Sequence, residues 1–516
     1  MQFATSPVGS SSRRGVLFAA SVFLTAVGGN AFAQTARLGV PDGDISAGQV
    51  DLDSASEALQ RLYAAQSGQL WSDRTAATLE ASLGAATAHG LNPEPYLSLI
   101  EGSRSAAERD FNLSRAAMAY AKALATGLVD PTDIFDIYTL PRDEPGLVEG
   151  LKDALAHDRL SAWFDSLAPQ DPQYRALSVA YLDLAGRSRL SEAAAISPGP
   201  PIRPGDTDER RRAIIAALVR EQGVAVPAPS DGGVVWTHAD ADLLKTYQRA
   251  RGLAADGVVG PNTLALLNAR PRDKARRVAV NLERLRWLQR TPPTTRIDVN
   301  TAASTLSYIV DGQIAWTTKI VAGRPGHETP QLQASFERLV VNPPWYVPSS
   351  IAAREITPKG SAYLARHHMR RVSGRIIQSP GPWAALGAVK FDMQNRYAIY
   401  LHDTPSKGMF SRSQRHLSHG CVRVEHAVDF ARRLAAESEN GSRFDRVLKS
   451  GKTAVVPLRA PIDVRLIYLT ALVGDDGAVT FRPDVYGWDI RTAAAMGLTP
   501  PAQEGVEAIT AAPLGP

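Results

Sequence analysis

The sequence predicts a multidomain α+β protein: an all-α scaffold, a small three-helix unit, and a mostly-β domain carrying a capping insert. Three observations predict it. The chain has 516 residues, 44% hydrophobic and 21% charged, an ordinary globular composition with room for about three domains of ~150 residues. Up to about residue 223 apolar residues recur every three or four positions, the period of packed helices. After Arg296 the period shortens to two, the period of strands.

The elements follow in order. Residues 1–33 hold only two charges, Arg13 and Arg14, then an apolar run Gly15–Val27 and the small-x-small triplet Ala31-Phe32-Ala33. That is the three-part pattern of a cleavable export signal. Its 13 apolar residues fall short of the ~20 of a membrane-spanning helix. The pair Arg13-Arg14 permits twin-arginine export. Residues 34–233 read as a helical scaffold, with helices expected over Ser54–Gln66, Arg74–His89, Ser105–Thr126 and Gln173–Ala185. Two Pro/Gly-rich stretches, Ser197–Gly205 and Val226–Gly233, read as linkers or long loops.

Residues 234–270 form the small helical unit. A domain over 272–490 follows, with strands expected at Thr305–Val310, Gln313–Val321, Leu332–Asn342, Tyr397–His402, Thr453–Leu458, Val464–Val473 and Val479–Arg482. Asp311-Gly312 and Asp476-Gly477 are hairpin signals between neighbouring strands. The stretch 343–387 is long and rich in Pro, Arg and His, with Trp345, Tyr346 and Trp383. That length suggests a lid or cap rather than a plain connection. Residues 491–516 read as a tail.

Composition excludes several functions. A net charge of +5 over this length does not describe a dedicated nucleic-acid binder. A single cysteine rules out an internal disulfide, a Cys-based zinc finger and an iron–sulfur cluster. In an exported chain a lone thiol is a liability unless it is buried and inert or kept for its reactivity.

The chemistry concentrates in one window. Of ten histidines, His327, His367, His368, His402, His416, His419 and His426 lie there, with Cys421 among them. A thiol needs a base, positive potential or a helix N-terminus to react as thiolate. His402 ends an expected strand and His419 precedes the thiol by two residues. An expected helix Val424–Arg433 would put Cys421 near its N-terminus, where N–H groups favour a thiolate and an oxyanion. Gly420 lets a second chain approach closely. Arg415 and Arg423 add positive potential. A zinc site from His402, His419 and Cys421 is open on ligand type, but no His-x-x-x-His or Cys-x-x-Cys spacing supports it. His367-His368, among arginines, reads as a solvated basic face.

Two resemblances carry these readings further. Tyr247-Gln248, Gly252-Leu253, Asp256-Gly257 and Gly260-Pro261-Asn262-Thr263 resemble the peptidoglycan-binding-type-1 module. His402, a 19-residue spacing, and Ser418-His419-Gly420-Cys421-Val422-Arg423 resemble the hallmark of L,D-transpeptidase (YkuD-type) catalytic domains. Val280–Trp287, Val341–Pro348, Gly387–Phe391, His402–Lys407 and Asp484–Asp489 are similar to the large Gram-negative YcbB-like branch.

The resemblance implies a periplasmic enzyme without cofactor or metal, acting on peptidoglycan stem peptides. Cys421 would be the nucleophile and His402 its base. The oxyanion would be held by the N–H groups of Cys421 and Gly420. His419 and Ser418 would orient the base or bind substrate, and Arg423 would contact substrate or brace the loop. Asp403 invites a triad, yet neighbours on a strand point to opposite faces, so a backbone carbonyl can orient the imidazole instead. Asp403, Trp345 and Tyr346 are expected at the substrate. The implied reaction releases D-alanine from a tetrapeptide donor and joins its diaminopimelate to a diaminopimelate acceptor as a 3→3 cross-link. Lipoprotein attachment, D-amino-acid exchange or hydrolysis could use the same thioester. Carbapenems would acylate Cys421. Other cell-wall synthesis proteins are conceivable partners, and a wall-binding scaffold without turnover is the alternative from another class.

Overall fold

The computed structural model describes residues 56–64, 68–188, 195–222, 234–251, 253–268, 270–474 and 476–499. The export signal and the stretch Val226–Gly233 lie outside these residues. No described helix is long and apolar enough to cross a membrane.

The first part is a helix bundle. Ser56–Tyr63, Asp73–Gly84, Glu94–Glu101, Leu147–Ala156, Leu160–Leu167 and Pro172–Ser188 pack around Ala106–Thr126. Local chemistry starts these helices. The Ser72 hydroxyl accepts from Thr75 N–H, and that of Ser105 accepts from Glu108 N–H, each satisfying one otherwise unpaired first-turn donor. The central helix is lined with small residues: Ala116, Ala117 and Ala121 are fully buried against Leu79, Leu83, Leu113 and Leu177.

This core does not end where the helical half of the sequence ends. Helix Pro271–Arg286 inserts Val278, Leu282 and Leu285 into it, and the following Trp287 adds its ring. Tyr468, Phe481 and Trp488, from the far end of the chain, join the same core. Two buried ion pairs lock the seam. Glu283 accepts from Arg286 Nη2 at 2.6 Å and from Trp287 Nε1 at 3.1 Å, and Arg284 pairs with Asp489. The helix Trp488–Ala495 therefore begins inside the folded body, so the expected tail from 491 starts within a helix.

The small unit is larger than expected. Helices His238–Ala250 and Pro261–Asn268 share a core with Arg211–Gln222, Ile196 and Ile202. Bridges Ile202–Val259 and Thr207–Val235 close it. Arg211 pairs with buried Asp240 at 2.8 Å. The third helix thus comes from before the expected boundary at 234, and Ser197–Gly205 is an edge of this unit rather than a free linker.

The C-terminal body is a mixed sheet. Its strands run in the order Tyr138–Thr139, Gln331–Val341, Ala454–Ile467, Arg296–Asn300, Thr305–Val310, Gln313–Gly323, Val422–Val424, Leu401–His402 and Val389–Phe391. The last of these also pairs with Gln331–Val341, so the sheet closes on itself. The hairpin at Asp311-Gly312 turns with φ of 50° and 80°, the double left-handed conformation that suits a two-residue loop. Inward residues Phe336, Phe391, Val422, Val424 and Val464 form the core with Phe430, Leu434 and Phe444 of helices Ala427–Glu437 and Gly441–Ser450. Tyr397–His402 is strand only at Leu401–His402. Asn395 Oδ1 accepts from the N–H groups of Tyr397 and Ile399, both at 3.1 Å, and folds that segment into a turn.

The insert is a subdomain with its own core. Strands Trp345–Tyr346, Met369–Val372 and Arg375–Gln378 form a three-stranded sheet. Val347, Ile356, Met369 and Ile376 are buried beneath it.

Candidate active site

Cys421 and His402 are brought together by strand register. Leu401–His402 lies parallel to Val422–Val424, with Leu401 opposite Val422 and His402 opposite Arg423. One step back, Cys421 stands beside Tyr400. Because side chains alternate along a strand, Tyr400, His402, Cys421 and Arg423 share one face. All four line a cavity of about 420 Å³ roofed by Trp345, Ile351, Glu355 and Tyr363 of the cap.

The imidazole is held by a carbonyl. His402 Nδ1 lies 2.5 Å from Asp403 O. A carbonyl only accepts, so Nδ1 carries the proton and Nε2 is left as the basic nitrogen. Burial, then the nearby Arg423 charge, push the ring pKa down to about 3. His402 is therefore neutral at neutral pH.

The thiol is partly buried. Burial pushes its pKa up, opposed by hydrogen bonds from the N–H and hydroxyl of Tyr400 and by the charges of Lys390 and Arg423. Sγ lies 3.9 Å from Ala398 O, which the left-handed φ of 54° at Ala398 turns toward it. The resting pair is thus a thiol and a neutral imidazole. The expected helix N-terminus is absent from this site: Val422–Val424 is strand, and the helix begins at Ala427. Sheet pairing with Gln313–Gly323 wins over helix propensity there.

The residues around the thiol divide into those that face the cavity and those that shape the loop. Gly420 has φ +110°, a backbone region open to glycine. Its N–H donates to Ser418 Oγ at 3.1 Å, and Ser418 Oγ donates to Cys421 O at 2.6 Å. The Gly420 N–H is therefore occupied within the loop, which corrects its expected oxyanion role. Ser418 is spent on the same turn. Thr329 Oγ1 donates to Gly420 O at 2.8 Å and accepts from Gly323 N at 2.9 Å. Tyr486 caps this chain by donating to Gly323 O at 2.6 Å.

Asp403 is also corrected. It does not line the cavity. Its buried carboxylate accepts from Ala388 N at 2.9 Å and pairs with Lys407, so it braces the cavity wall. Tyr346 points out of the site and is 61% exposed, whereas its neighbour Trp345 lines the cavity. Trp383 stacks on His368 at 3.7 Å. Arg423 lines the cavity; its Nη1 contacts Met409 Sδ at 2.9 Å and its Nε has no partner. His419 faces the cap rather than the thiol: Nε2 donates to Glu355 at 2.6 Å, with Arg324 3.1 Å from the same nitrogen. Burial, followed by Arg324 and His327 and opposed by Glu355, pushes its pKa down.

Sequence reasoning missed Tyr400, Glu355 and Thr329. Tyr400 could have been found two residues before His402, on the same strand face. Its hydroxyl accepts from Trp345 and donates toward Cys421. The other two come from distant loops that only the fold brings in.

The site is thus a closed mixed sheet whose floor carries a thiol and a carbonyl-held imidazole under a cap. Residues 294–456 match the L,D-transpeptidase catalytic domain family, YkuD. Residues 57–180 match a family described as Scaffold domain. A Haemophilus influenzae protein named "Putative L,D-transpeptidase" is 33% identical over 238 residues, 41% of this chain and 48% of that one. The chain thus spans about half the length of this curated relative. Among solved structures, an L,D-transpeptidase (Yku) from Stackebrandtia nassauensis is 15% identical, with TM-score 0.22, covering 54% of this chain and 97% of that one. L,D-transpeptidase 3 from Mycobacterium tuberculosis is 13% identical, with TM-score 0.20, covering 35% and 63%.

Proposed function

We propose that this protein is an exported L,D-transpeptidase that forms 3→3 cross-links in peptidoglycan by cysteine acyl transfer. One observation carries the reading: Cys421 and His402 stand on adjacent parallel strands in one capped cavity, with His402 Nδ1 fixed as donor and Nε2 left basic.

Because both groups are neutral at rest, the thiol proton moves to His402 Nε2 as the sulfur attacks, rather than from a preformed ion pair. The thiolate attacks the carbonyl of the third stem residue. The bond to the terminal D-alanine breaks, and the imidazolium returns its proton to the leaving amine. The thioester is then opened by the side-chain amine of a second stem, whose proton passes to His402. Finally the sulfur departs and recovers a proton. Oxyanion donors are the Cys421 N–H and the Tyr400 hydroxyl, which burial and the neighbouring thiol keep protonated by raising its pKa. Arg324, Arg354, Lys359 and Arg423 around the cavity favour a substrate bearing carboxylates. The cap shields the thioester from water, which favours an amine acceptor over hydrolysis.

The test is to incubate the protein with purified disaccharide-tetrapeptide and read products by mass spectrometry. The expected product is a dimer that has lost one D-alanine, absent with Cys421→Ala. Dimer at the wild-type level from that variant would overturn the assignment. One carbapenem adduct at Cys421 is expected in the intact mass.

A further inference from the structure

The cap has a second face. Residues 356–389 contain Lys359, Arg366, Arg370, Arg371 and Arg375 and no aspartate or glutamate. That local excess equals the net charge of the whole chain, +5. All five side chains are exposed, and among the described residues none of them forms an ion pair.

Sheet register sorts them. Tyr346 pairs with Ile377, Ile377 pairs with Arg370, and Val372 pairs with Arg375. Directly paired residues share a face, as do residues two apart, so Tyr346, Arg370, Val372 and Arg375 form the outer face of the cap sheet. The opposite face carries Trp345, Met369 and Ile376, toward the cavity and the cap core, and also Arg371, which pairs with Ile376 and donates to Thr357 Oγ1 at 3.1 Å. Tyr346 is 61% exposed and Val372 41% exposed. Ser373 and Gly374, with φ of 48° and 79°, make the tight turn that joins the two strands and places Arg375 opposite Val372. One two-residue strand therefore offers an aromatic ring to the cavity and the next ring to the outside.

We propose that this outer face docks the anionic peptidoglycan polymer that runs on from the stem held in the cavity. The inference rests on the proposed function. Three features favour that occupant. The surface is continuous with the cavity wall through Trp345 and Tyr346. The cations of this face, Arg370 and Arg375, are both arginines, whose planar forks match carboxylates, and every stem of the polymer carries carboxylates. The exposed Tyr346 ring, on the edge strand of the same face, supplies an apolar plane for a sugar face. A uniform positive field without acidic neighbours also draws in a polyanion over a distance set by salt.

The experiment uses the full-length protein with Arg370 and Arg375 both changed to Gln. A control changes Arg446 and Lys449 to Gln, removing the same charge from the helix Gly441–Ser450. Two quantities are read: retention on purified sacculi, and the ratio of turnover on sacculi to turnover on soluble disaccharide-tetrapeptide. For the cap variant both are expected to fall about fivefold at low salt, the sum of two exposed charge contacts, and wild-type retention should weaken as salt rises. The control variant should stay near wild type. Equal losses in the control, equal losses on soluble and polymeric substrate, or unchanged sacculus retention would each overturn the proposal. So would a loss seen only in binding to phosphatidylglycerol vesicles, which would assign the face to a lipid surface. Absence of turnover on the soluble substrate by the wild type would instead count against the proposed function, while retention on sacculi would still report on the docking face.

Discussion

Glu355 of the cap accepts a hydrogen bond from His419, two residues from the thiol, at 2.6 Å. A second tie joins Trp345 of the cap to the Tyr400 hydroxyl. The roof of the cavity is thus bonded to both sides of its floor: to the loop that carries Cys421 and to the strand that carries His402.

Glu355→Gln should loosen the roof. The pair is part-buried, so its loss is worth about 1 kcal/mol, or about fivefold. Alkylation of Cys421 by a small reagent should speed up by that factor while transpeptidation slows. Unchanged alkylation and turnover would show that the tie does not hold the cap.

The resting thiol should react as a thiol. With its pKa pushed up by burial and His402 neutral, iodoacetamide labelling should keep rising with pH beyond ~8.5, the ordinary thiol value. A labelling rate already at its plateau at pH 6 would mean a preformed thiolate–imidazolium pair. His402→Gln should lower turnover by about 10²–10⁴-fold, the usual worth of a positioned base.

Acid should unfold the protein through buried histidines. Burial holds His89 and His416 down to about 4 and His402 to about 3, against ~6.5 in an unfolded chain. Between those values the unfolded state binds more protons, so stability falls as pH drops through that window and is fully present above ~6.5. Urea unfolding at pH 7.5, 6 and 5 should show a decline that His416→Gln reduces.

Gly420→Ala should destabilise the nucleophile loop. The φ of +110° costs a side-chain-bearing residue about 1–3 kcal/mol, and the added methyl would sit 3.2 Å from Ile399 Cδ1. The readouts are the denaturation midpoint and kcat; an unaffected variant would show that the loop adopts another backbone at no cost.

Glu283→Ala should cost stability far from the cavity. It leaves the fully buried Arg286 charge without its carboxylate, a loss of about 3–5 kcal/mol. A variant as stable as wild type would mean that the guanidinium finds another partner.

Much of this protein was readable before folding. The hairpin at Asp311-Gly312, the strand Thr305–Val310 and the helix ending at Thr126 follow from local propensity, which acts through near neighbours in the chain. The cluster His402 to Arg423 was visible because its residue types are unusual together. Errors arose where a distant partner decided the outcome. Val424 joined a strand because Gln313–Gly323 lay beside it, and Asp403 turned to Ala388 and Lys407. The helix Pro271–Arg286 reads as the start of the C-terminal domain, yet its buried face belongs to the scaffold core.

By itself, then, the sequence determined the chemical inventory: one thiol, a histidine 19 residues before it, and a glycine whose freedom the loop needs. Tertiary structure decided how that inventory is used. Parallel pairing of two short strands put Cys421 beside Tyr400 and on one face with His402, a carbonyl selected the basic nitrogen, and burial made both partners neutral. Register, tautomer and desolvation arise from groups that meet only when the chain is folded, so no local pattern encodes them.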